Sequence, residues 1–240
     1  MKVFDKGKYS VRYAGTAEDM SAGLDLRRLC FGAAGGVPDR FDTSSVHVLI
    51  TEERNDDVVA TFRMAMLDGS RIQTSYAAQF YDLAALEAFQ GPMLELGRFC
   101  IHPNHPDPDI LRMAWAVLTA HVDEAGVEML FGCSSFSGRD VDPYGDAFAL
   151  LKARHLPPAQ WMPRIKAKDV YRYCAQDHGK PDLKKANAAM PPLLRTYLMM
   201  GGWVSDHAVM DHEMDTLHVF TGLEIKAIPP ARKKLLRALV

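Results

Sequence analysis

Apolar residues recur along the chain with two different spacings, and these divide it into predicted strands and helices. A spacing near two predicts strands, and a recurrence every three or four positions predicts helices. The predicted strands are residues 9–14, 46–51, 58–67, 93–101, 128–133, 203–209 and 217–223, and the predicted helices are residues 16–31, 81–89, 110–125, 146–155 and 192–200. This order predicts an α/β fold with a mixed sheet flanked by helices.

Several of these segments have recognisable ends. Thr16 followed by Asp19 is typical of a helix start in which the two side chains cap each other's backbone. Gly126 follows the helix predicted at 110–125 and fits its C-terminal cap. Residues 55–56 form a turn that makes strands 46–51 and 58–67 an antiparallel hairpin. Residues 138–190 are rich in proline and charge, so we interpret them as a helical and loop insertion before the last strands of a single domain spanning 1–240.

The composition narrows the class of protein. The chain has 240 residues, of which 48% are apolar, and this is enough to build a sizeable core. With 28 basic and 30 acidic residues the net charge is -2, which argues against a dedicated nucleic-acid binder. The cysteines show no C-x-x-C spacing and the histidines match no standard zinc pattern, so we predict no metal site.

The termini bear on location. The first residues run straight into polar residues without the apolar core of a secretory signal, and no apolar stretch reaches the roughly 20 residues that a membrane helix requires. We therefore expect a cytoplasmic protein. Residues 232–240 form a short basic amphipathic stretch, which is usually a solvated terminal helix. The alternative is peripheral contact with the anionic surface of the inner membrane.

The predicted strand 93–101 carries the charged pair Glu95 and Arg98. On a regular strand the two would face opposite sides, but an irregularity at Gly97 would let both enter one cleft. Glu95 could then accept a proton from an attacking amine, and Arg98 could hold a phosphate or a carboxylate. The alternative is a surface pair or a salt bridge without a catalytic role.

The loop after this strand, residues 102–109, lies between a strand and a long helix, an arrangement that resembles the GNAT acyltransferases. In that family the loop is normally glycine-rich and its N–H groups grip the pyrophosphate of coenzyme A. Here Pro103, Pro106 and Pro108 replace the glycines, and proline has no N–H to donate. We therefore expect poor binding of coenzyme A and an acyl carrier protein as donor, whose phosphopantetheine serves in place of a separate cofactor.

The run from Glu95 to Pro103, ELGRFCIHP, resembles the signature of the ornithine lipid synthesis N-acyltransferases. Most of the chain shares the resemblance. The further matches are Arg27 with Phe31, Phe41 with Asp42, Arg63, residues 130–136 and residues 192–198. The same spacing of Arg27, Phe31, Asp42, Arg63, Glu95 and Arg98 recurs in the acyl-homoserine lactone synthases. Those enzymes carry a tryptophan where this chain has residues 35–38, GGVP, and this favours the lipid branch.

The resemblance implies a GNAT-like enzyme that moves a 3-hydroxyacyl chain from acyl carrier protein to the α-amine of L-ornithine, giving lyso-ornithine lipid. Glu95 would assist deprotonation of the amine, and Arg98 and Arg63 would hold the donor arm or the substrate carboxylate. Arg27 and Asp42 would belong to the amino-acid side of the cleft, and Phe31 would be a further substrate-binding residue.

Three alternatives stay open: glutamine or another amino acid as acceptor, an acyl-homoserine lactone synthase, and a non-catalytic carrier-protein or lipid-binding module. Ser134 and Ser135 lie near the end of a predicted strand, where a hydroxyl could contact the donor arm. They could equally well satisfy local backbone groups.

Overall fold

A computed structural model describes the backbone of residues 2–239 and the side chains of residues 7–239. The chain forms two compact units. The first comprises Met1–Met66, Leu94–Val127 and Pro230–Val240, and the second comprises Leu67–Met93 and Glu128–Pro229. The prediction of one domain over residues 1–240 with an insertion at 138–190 stays a prediction, and Val240 lies outside the described residues.

The first unit is built on antiparallel strands with helices packed on them. Its strands are β1 (Lys2–Lys6), β2 (Tyr9–Tyr13), β3 (Val46–Glu52), β4 (Val58–Leu67) and β6 (Met93–Ile101), which lie side by side in the order β1-β2-β3-β4-β6. Its helices are α1 (Ala17–Gly35), α2 (Pro108–Ala125) and α6 (Pro230–Arg237). The hairpin of β3 and β4 places His47 directly opposite Arg63.

The second unit combines a second set of antiparallel strands with three helices. Its strands are β5 (Tyr81–Asp82), β7 (Met129–Ser137), β8 (Arg164–Ile165), β9 (Val170–Tyr171), β10 (Trp203–Val204), β11 (Ala208–Asp211) and β12 (Thr216–Glu224), and its helices are α3 (Gly145–Arg154), α4 (Leu183–Ala189) and α5 (Pro192–Met199). The order is β7-β12-β11-β9, β10 also pairs with β12, and β5 pairs separately with β8.

The paired strands β7 and β12 separate two apolar cores in the second unit. On one face, Phe131 and Phe220 pack against residues from the 67–93 segment, including Tyr81. On the other face, Phe136 and Leu217 pack against side chains from the 138–190 segment. That segment therefore shares its core with β7 and β12.

Most of the predicted elements are confirmed, and several of their ends are as expected. Thr16 and Asp19 cap each other at the start of α1, and Gly126 ends α2 in the left-handed conformation with φ of 61°. The helix predicted over 81–89 is wrong: two residues pair as β5 and residues 84–88 form a short 3₁₀ turn. The strand predicted over 203–209 is divided into β10 and β11, because Ser205 turns inward and its hydroxyl accepts from the Phe220 N–H.

Candidate active site

The backbone of β6 is irregular at Arg98, which adopts φ of 53°. Among the described residues, two other non-glycine residues have positive φ, Asp56 and Asp215, and both lie outside the strands. A left-handed residue inside a strand interrupts the alternation of side chains and costs backbone energy. The irregularity expected at Gly97 therefore lies one residue later, at Arg98.

Gly97 has a different task, which is to leave room for Arg63. A Cβ added to Gly97 would lie 3.2 Å from the Nε of Arg63 and 3.5 Å from its Cγ. The side chain of Arg63 therefore crosses the strand over Gly97. Glu95 is buried, with 5% of its surface exposed, and it lies two residues before Gly97. Residues two apart on a strand share a face, so Glu95 points to the face that Arg63 crosses.

Arg63 and Arg98 are joined by a carboxylate that sequence reasoning missed. Asp39 accepts from Arg63 Nη1 at 2.6 Å through one oxygen and from Arg98 Nη2 at 2.8 Å through the other. Its two oxygens thus hold two guanidinium groups at a fixed separation. The only sequence signal was a second acid three residues before Asp42, which sequence analysis did not single out.

A second carboxylate extends this network to α1. Asp42 accepts from both Nη atoms of Arg27, at 2.8 and 3.3 Å, and from Nη1 of Arg63 at 2.6 Å. His47, also missed, lies 2.9 Å from the Asp42 carbonyl oxygen through its Nε2. The side chains of Arg27, Asp42 and Arg63 are each at most 5% exposed. Four of the predicted site residues, Arg27, Asp42, Arg63 and Arg98, therefore form one largely buried ionic network with Asp39.

The surroundings of Asp39 and Asp42 keep both carboxyl groups ionised. Burial alone would raise the pKa of Asp39, but hydrogen bonds from Arg63 and Arg98 outweigh it and lower the pKa to about 2. Burial likewise opposes ionisation of Asp42, and its bonds to Arg27 and to the Asp39 N–H reverse the effect and lower its pKa. Each aspartate is thus a permanent anion that orients arginines.

Arg27 also holds the end of α1, close to Phe31. Gly32 interrupts the helix with φ of 74°, and Arg27 Nε donates to the Gly35 carbonyl at 3.1 Å across the interruption. A Cβ on Gly35 would come within 2.5 Å of the Phe31 Cβ, so the fold requires glycine there. Phe31 is half-buried beside this kink and contributes no group to the ionic network.

The first turn of α2 is already occupied by a carboxylate of the chain itself. Asp107 accepts from the Asp109 N–H at 2.9 Å, from Lys8 Nζ at 2.7 Å and from the Tyr9 hydroxyl at 3.0 Å. The hydrogen bond from Lys8 is the main cause that lowers the pKa of Asp107 to about 2. The positive end of the helix therefore faces a fixed negative charge, and Pro108 supplies no N–H in that turn.

The structure places Ser134 and Ser135 on opposite faces of β7. Ser134 is buried beside Val219, and its hydroxyl accepts from Thr221 Oγ1 at 2.9 Å on the side of β7 that packs on the helices. Ser135 is exposed and lies opposite His218 on the other side. A group bound on one face of β7 can therefore contact only one of the two hydroxyls.

Two features are absent from the described part of the chain, a membrane-spanning helix and a metal-binding cluster. None of its helices combines the length and the apolar character that a bilayer crossing requires. In residues 7–239 we find no set of three or more His, Cys, Asp or Glu side chains arranged to hold a metal ion.

Known proteins resemble this chain in sequence over most of its length. Residues 18–116 match the family model described as the acetyltransferase (GNAT) domain. The chain is 32% identical over 238 residues to a Rhodobacter capsulatus protein named L-ornithine N(alpha)-acyltransferase, covering 92% of this chain and 91% of that protein. A Brucella abortus protein of the same name is 27% identical, with 92% of this chain and 86% of that protein covered.

Solved structures share the fold at low sequence identity. An N-acyl amino acid synthase from uncultured soil microbes superposes with a TM-score of 0.54 at 11% identity, covering 92% of this chain and 94% of that one. The loading GNATL domain of CurA from Lyngbya majuscula superposes with a TM-score of 0.52 at 13% identity, covering 92% and 99% of the two chains. The predicted GNAT-like α/β fold is thereby confirmed. The chain is a GNAT-fold acyltransferase and belongs to the family of L-ornithine Nα-acyltransferases.

Proposed function

We propose that this enzyme transfers a 3-hydroxyacyl group from acyl carrier protein to the α-amine of L-ornithine, giving lyso-ornithine lipid. The names of its relatives support ornithine as the acceptor. The observation that supports a donor other than coenzyme A is the Asp107 carboxylate at the first turn of α2.

The reaction needs one proton acceptor and a held thioester. The α-amine attacks the thioester carbon, the C–N bond forms, and the C–S bond breaks to release the carrier's thiol. Glu95 takes the proton that the amine loses, either directly or through a water molecule, and passes it to the departing thiolate, which leaves as the thiol. Because Glu95 is buried, this proton transfer is shielded from bulk water.

The arginines serve the anionic groups of the two substrates. Arg63 and Arg98 are held apart by Asp39, and a guanidinium in a fixed position binds a carboxylate or a phosphate with little loss of side-chain entropy. Arg27 and Asp42 form the buried end of the network, where they are paired with each other. We assign the donor arm or the ornithine carboxylate to Arg63 and Arg98.

The choice of donor follows from charge at α2. A pyrophosphate approaching this helix start would meet the ionised Asp107 and the exposed Asp109 in the first turn of the helix. Repulsion from these carboxylates and the lack of an N–H on the prolines both weaken the binding of a pyrophosphate. A carrier protein avoids the difficulty, because its phosphopantetheine has one phosphate and protein contacts supply most of its affinity.

The test is thiol release by the purified enzyme. The 3-hydroxyacyl carrier protein is supplied with single amino acids, ornithine and glutamine first, and the free thiol is followed over time. We expect release with ornithine, a loss of at least 100-fold in kcat for Glu95→Gln, and wild-type rates for the matched surface variant Glu87→Gln.

Each part of the proposal has its own contrary result. No thiol release with any amino acid contradicts the transferase, and release with glutamine but not ornithine replaces the acceptor. Turnover with acyl-coenzyme A but not with the carrier protein contradicts the argument from α2. Full activity of Glu95→Gln removes Glu95 from the proton transfer.

We further propose that α6 contacts an anionic membrane surface, where a lyso-lipid product would be released. Helix α6 is held on α2 by the two bonds of Arg237 to Asp123, both 2.8 Å, and Leu235 on it is 60% exposed. Exposed cations beside an exposed leucine suit a bilayer interface. Co-sedimentation with phosphatidylglycerol vesicles should fall when Lys233 and Lys234 are changed to Gln, and unchanged co-sedimentation contradicts the contact.

A further inference from the structure

The charge of the chain is distributed unevenly. Residues 152–195, which we call the basic segment, contain ten Lys and Arg against three Asp and no Glu, a net charge of +7 with His neutral. The whole chain carries -2, so the remaining residues carry -9. A difference of this size within one small protein creates a local positive potential that the overall composition conceals.

The cationic side chains of the basic segment are exposed to solvent rather than buried in the fold. Nine of the ten are exposed, and Arg195 is half-buried. Within the described part of the chain, none of the ten lies within ion-pair distance of a carboxylate. By contrast, the exposed Arg112 and Arg237 of the first unit each pair with an aspartate at 2.5 and 2.8 Å.

The three acids of the basic segment are engaged elsewhere. Asp169 pairs with His212 at 2.6 Å, and Asp177 accepts from the Gly179 N–H. Asp182 caps α4 by accepting from the N–H groups of the two residues after Leu183. The positive charge of the segment is therefore not neutralised by its own acids.

The same segment also carries exposed apolar side chains, of which Leu156 follows α3 and Leu183 begins α4, while Ile165 lies on β8. Leu156, Ile165 and Leu183 are 38, 37 and 44% exposed, and they are three of the eight large apolar side chains that the described surface leaves exposed. A basic surface with interspersed aliphatic side chains has the two elements of a protein interface, which are charges that steer and apolar groups that are buried on contact.

Part of this surface is held rigidly. Helix α4 packs on α3 through the buried Ala186, and the Asp182 N–H donates to Asp146 in the first turn of α3 at 2.8 Å. Lys184 and Lys185 on α4 are therefore presented by a helix whose position is fixed. A pre-ordered surface loses little entropy on binding.

We propose that the part of the basic segment carried by the packed helices α3 and α4 is the docking surface for an acidic protein, namely the acyl carrier protein that delivers the thioester. This deepens the proposed function and rests on it. Nucleic acid fits less well, since the exposed large apolar side chains of the segment are aliphatic, and its aromatic rings are half-buried or buried rather than displayed for base stacking. A membrane surface also fits less well, because the cations of the segment are divided among three short helices, one strand and loops rather than aligned along one amphipathic helix.

The test is the double charge reversal Lys184→Glu with Lys185→Glu. Glutamate is favourable in the first turn of a helix, so α4 should stay folded. We expect the KM for the acyl carrier protein to rise about tenfold or more at low salt, with kcat and the KM for ornithine unchanged. The matched control, Arg54→Glu with Lys226→Glu, makes the same change in net charge on exposed sites outside the segment.

A second donor separates this inference from the proposed function. Acyl-pantetheine has no carrier protein to dock, so the wild type and the α4 variant should use it equally. Direct binding of holo-carrier protein, followed by fluorescence anisotropy, should weaken about tenfold in the α4 variant whether or not turnover is observed. No turnover by the wild type with any donor contradicts the proposed function alone.

Three results overturn the docking surface. One is an unchanged KM and unchanged carrier-protein affinity in the α4 variant. Another is an equal loss in the control variant, which would show an effect of net charge. The third is a selective loss of binding to single-stranded DNA or to phosphatidylglycerol vesicles while the carrier protein still binds normally, which would assign the segment to a different partner.

Discussion

Replacing Asp39 by Asn removes the charge that joins Arg63 and Arg98 while keeping the size of the side chain. The folded-state pKa of Asp39 is about 2, against an ordinary value of 3.8. At about 1.36 kcal/mol per pKa unit, the ionised carboxylate stabilises the fold by about 2.5 kcal/mol at pH 7. Its side chain is 23% exposed, so solvent screening reduces this figure only modestly.

The pH dependence provides an internal check. Because the folded-state pKa is depressed, the stabilisation is complete above the unfolded pKa of 3.8 and is lost as the pH falls towards 2. Chemical unfolding in urea should show Asp39→Asn to be about 2 kcal/mol less stable than wild type at pH 7. At pH 3 the difference should shrink to about half, since the wild-type carboxylate is then partly neutralised in the unfolded reference.

A matched substitution on the surface shows what an ordinary ion pair contributes. Asp25 pairs with Arg28 at 3.0 Å, but its side chain is 63% exposed, so Asp25→Asn should cost less than about 0.5 kcal/mol. Asp39→Asn should in addition lower kcat/KM about tenfold or more, because Arg98 loses its orientation. If Asp39→Asn is no more destabilising than Asp25→Asn and keeps full activity, the reasoning about the network is wrong.

Three further predictions concern other parts of the chain. Gly97→Ala should lower kcat/KM about tenfold and change the unfolding free energy by about 1 kcal/mol, because the added Cβ would lie 3.2 Å from Arg63 Nε. Steady-state kinetics and urea unfolding would measure the two effects, and wild-type kinetics would contradict the prediction. Burial lowers the pKa of His218 to about 4, so the unfolding free energy should fall by about 2 kcal/mol as the pH falls from 7 to 5. In urea unfolding, His218→Gln should remove most of this pH dependence. An unchanged pH dependence would mean that other groups cause it. Asp107→Asn should lower the KM for acyl-coenzyme A several-fold, if repulsion at α2 limits that donor, and an unchanged KM in the same thiol assay would refute this.

Local signals in the sequence predicted most of the architecture, because caps, turns and apolar periodicity act over a few residues. The capping pair at Thr16 and the glycine after α2 are of this kind. The segment 81–89 shows the limit. Tyr81 pairs with Ile165 and packs on the sheet, and a partner so far along the chain cannot be recognised within a window of helical length.

For the site, the sequence alone determined which residue types stand on β6 and that proline replaces the glycines after it. Glu95 and Arg98 were identifiable in this way, and Arg27, Asp42 and Arg63 were indicated by the family resemblance. Their catalytic and binding roles stay predictions.

Only the tertiary structure decided how these groups are joined. Asp39 is 24 residues from Arg63 and 59 from Arg98, so no local pattern marks it as their common partner. The left-handed backbone at Arg98 and the opposite faces of Ser134 and Ser135 depend on strand conformation and register. The sequence thus determined the chemistry available, and long-range packing decided which charges meet, because ion pairs and strand registers form between residues that are distant in the chain.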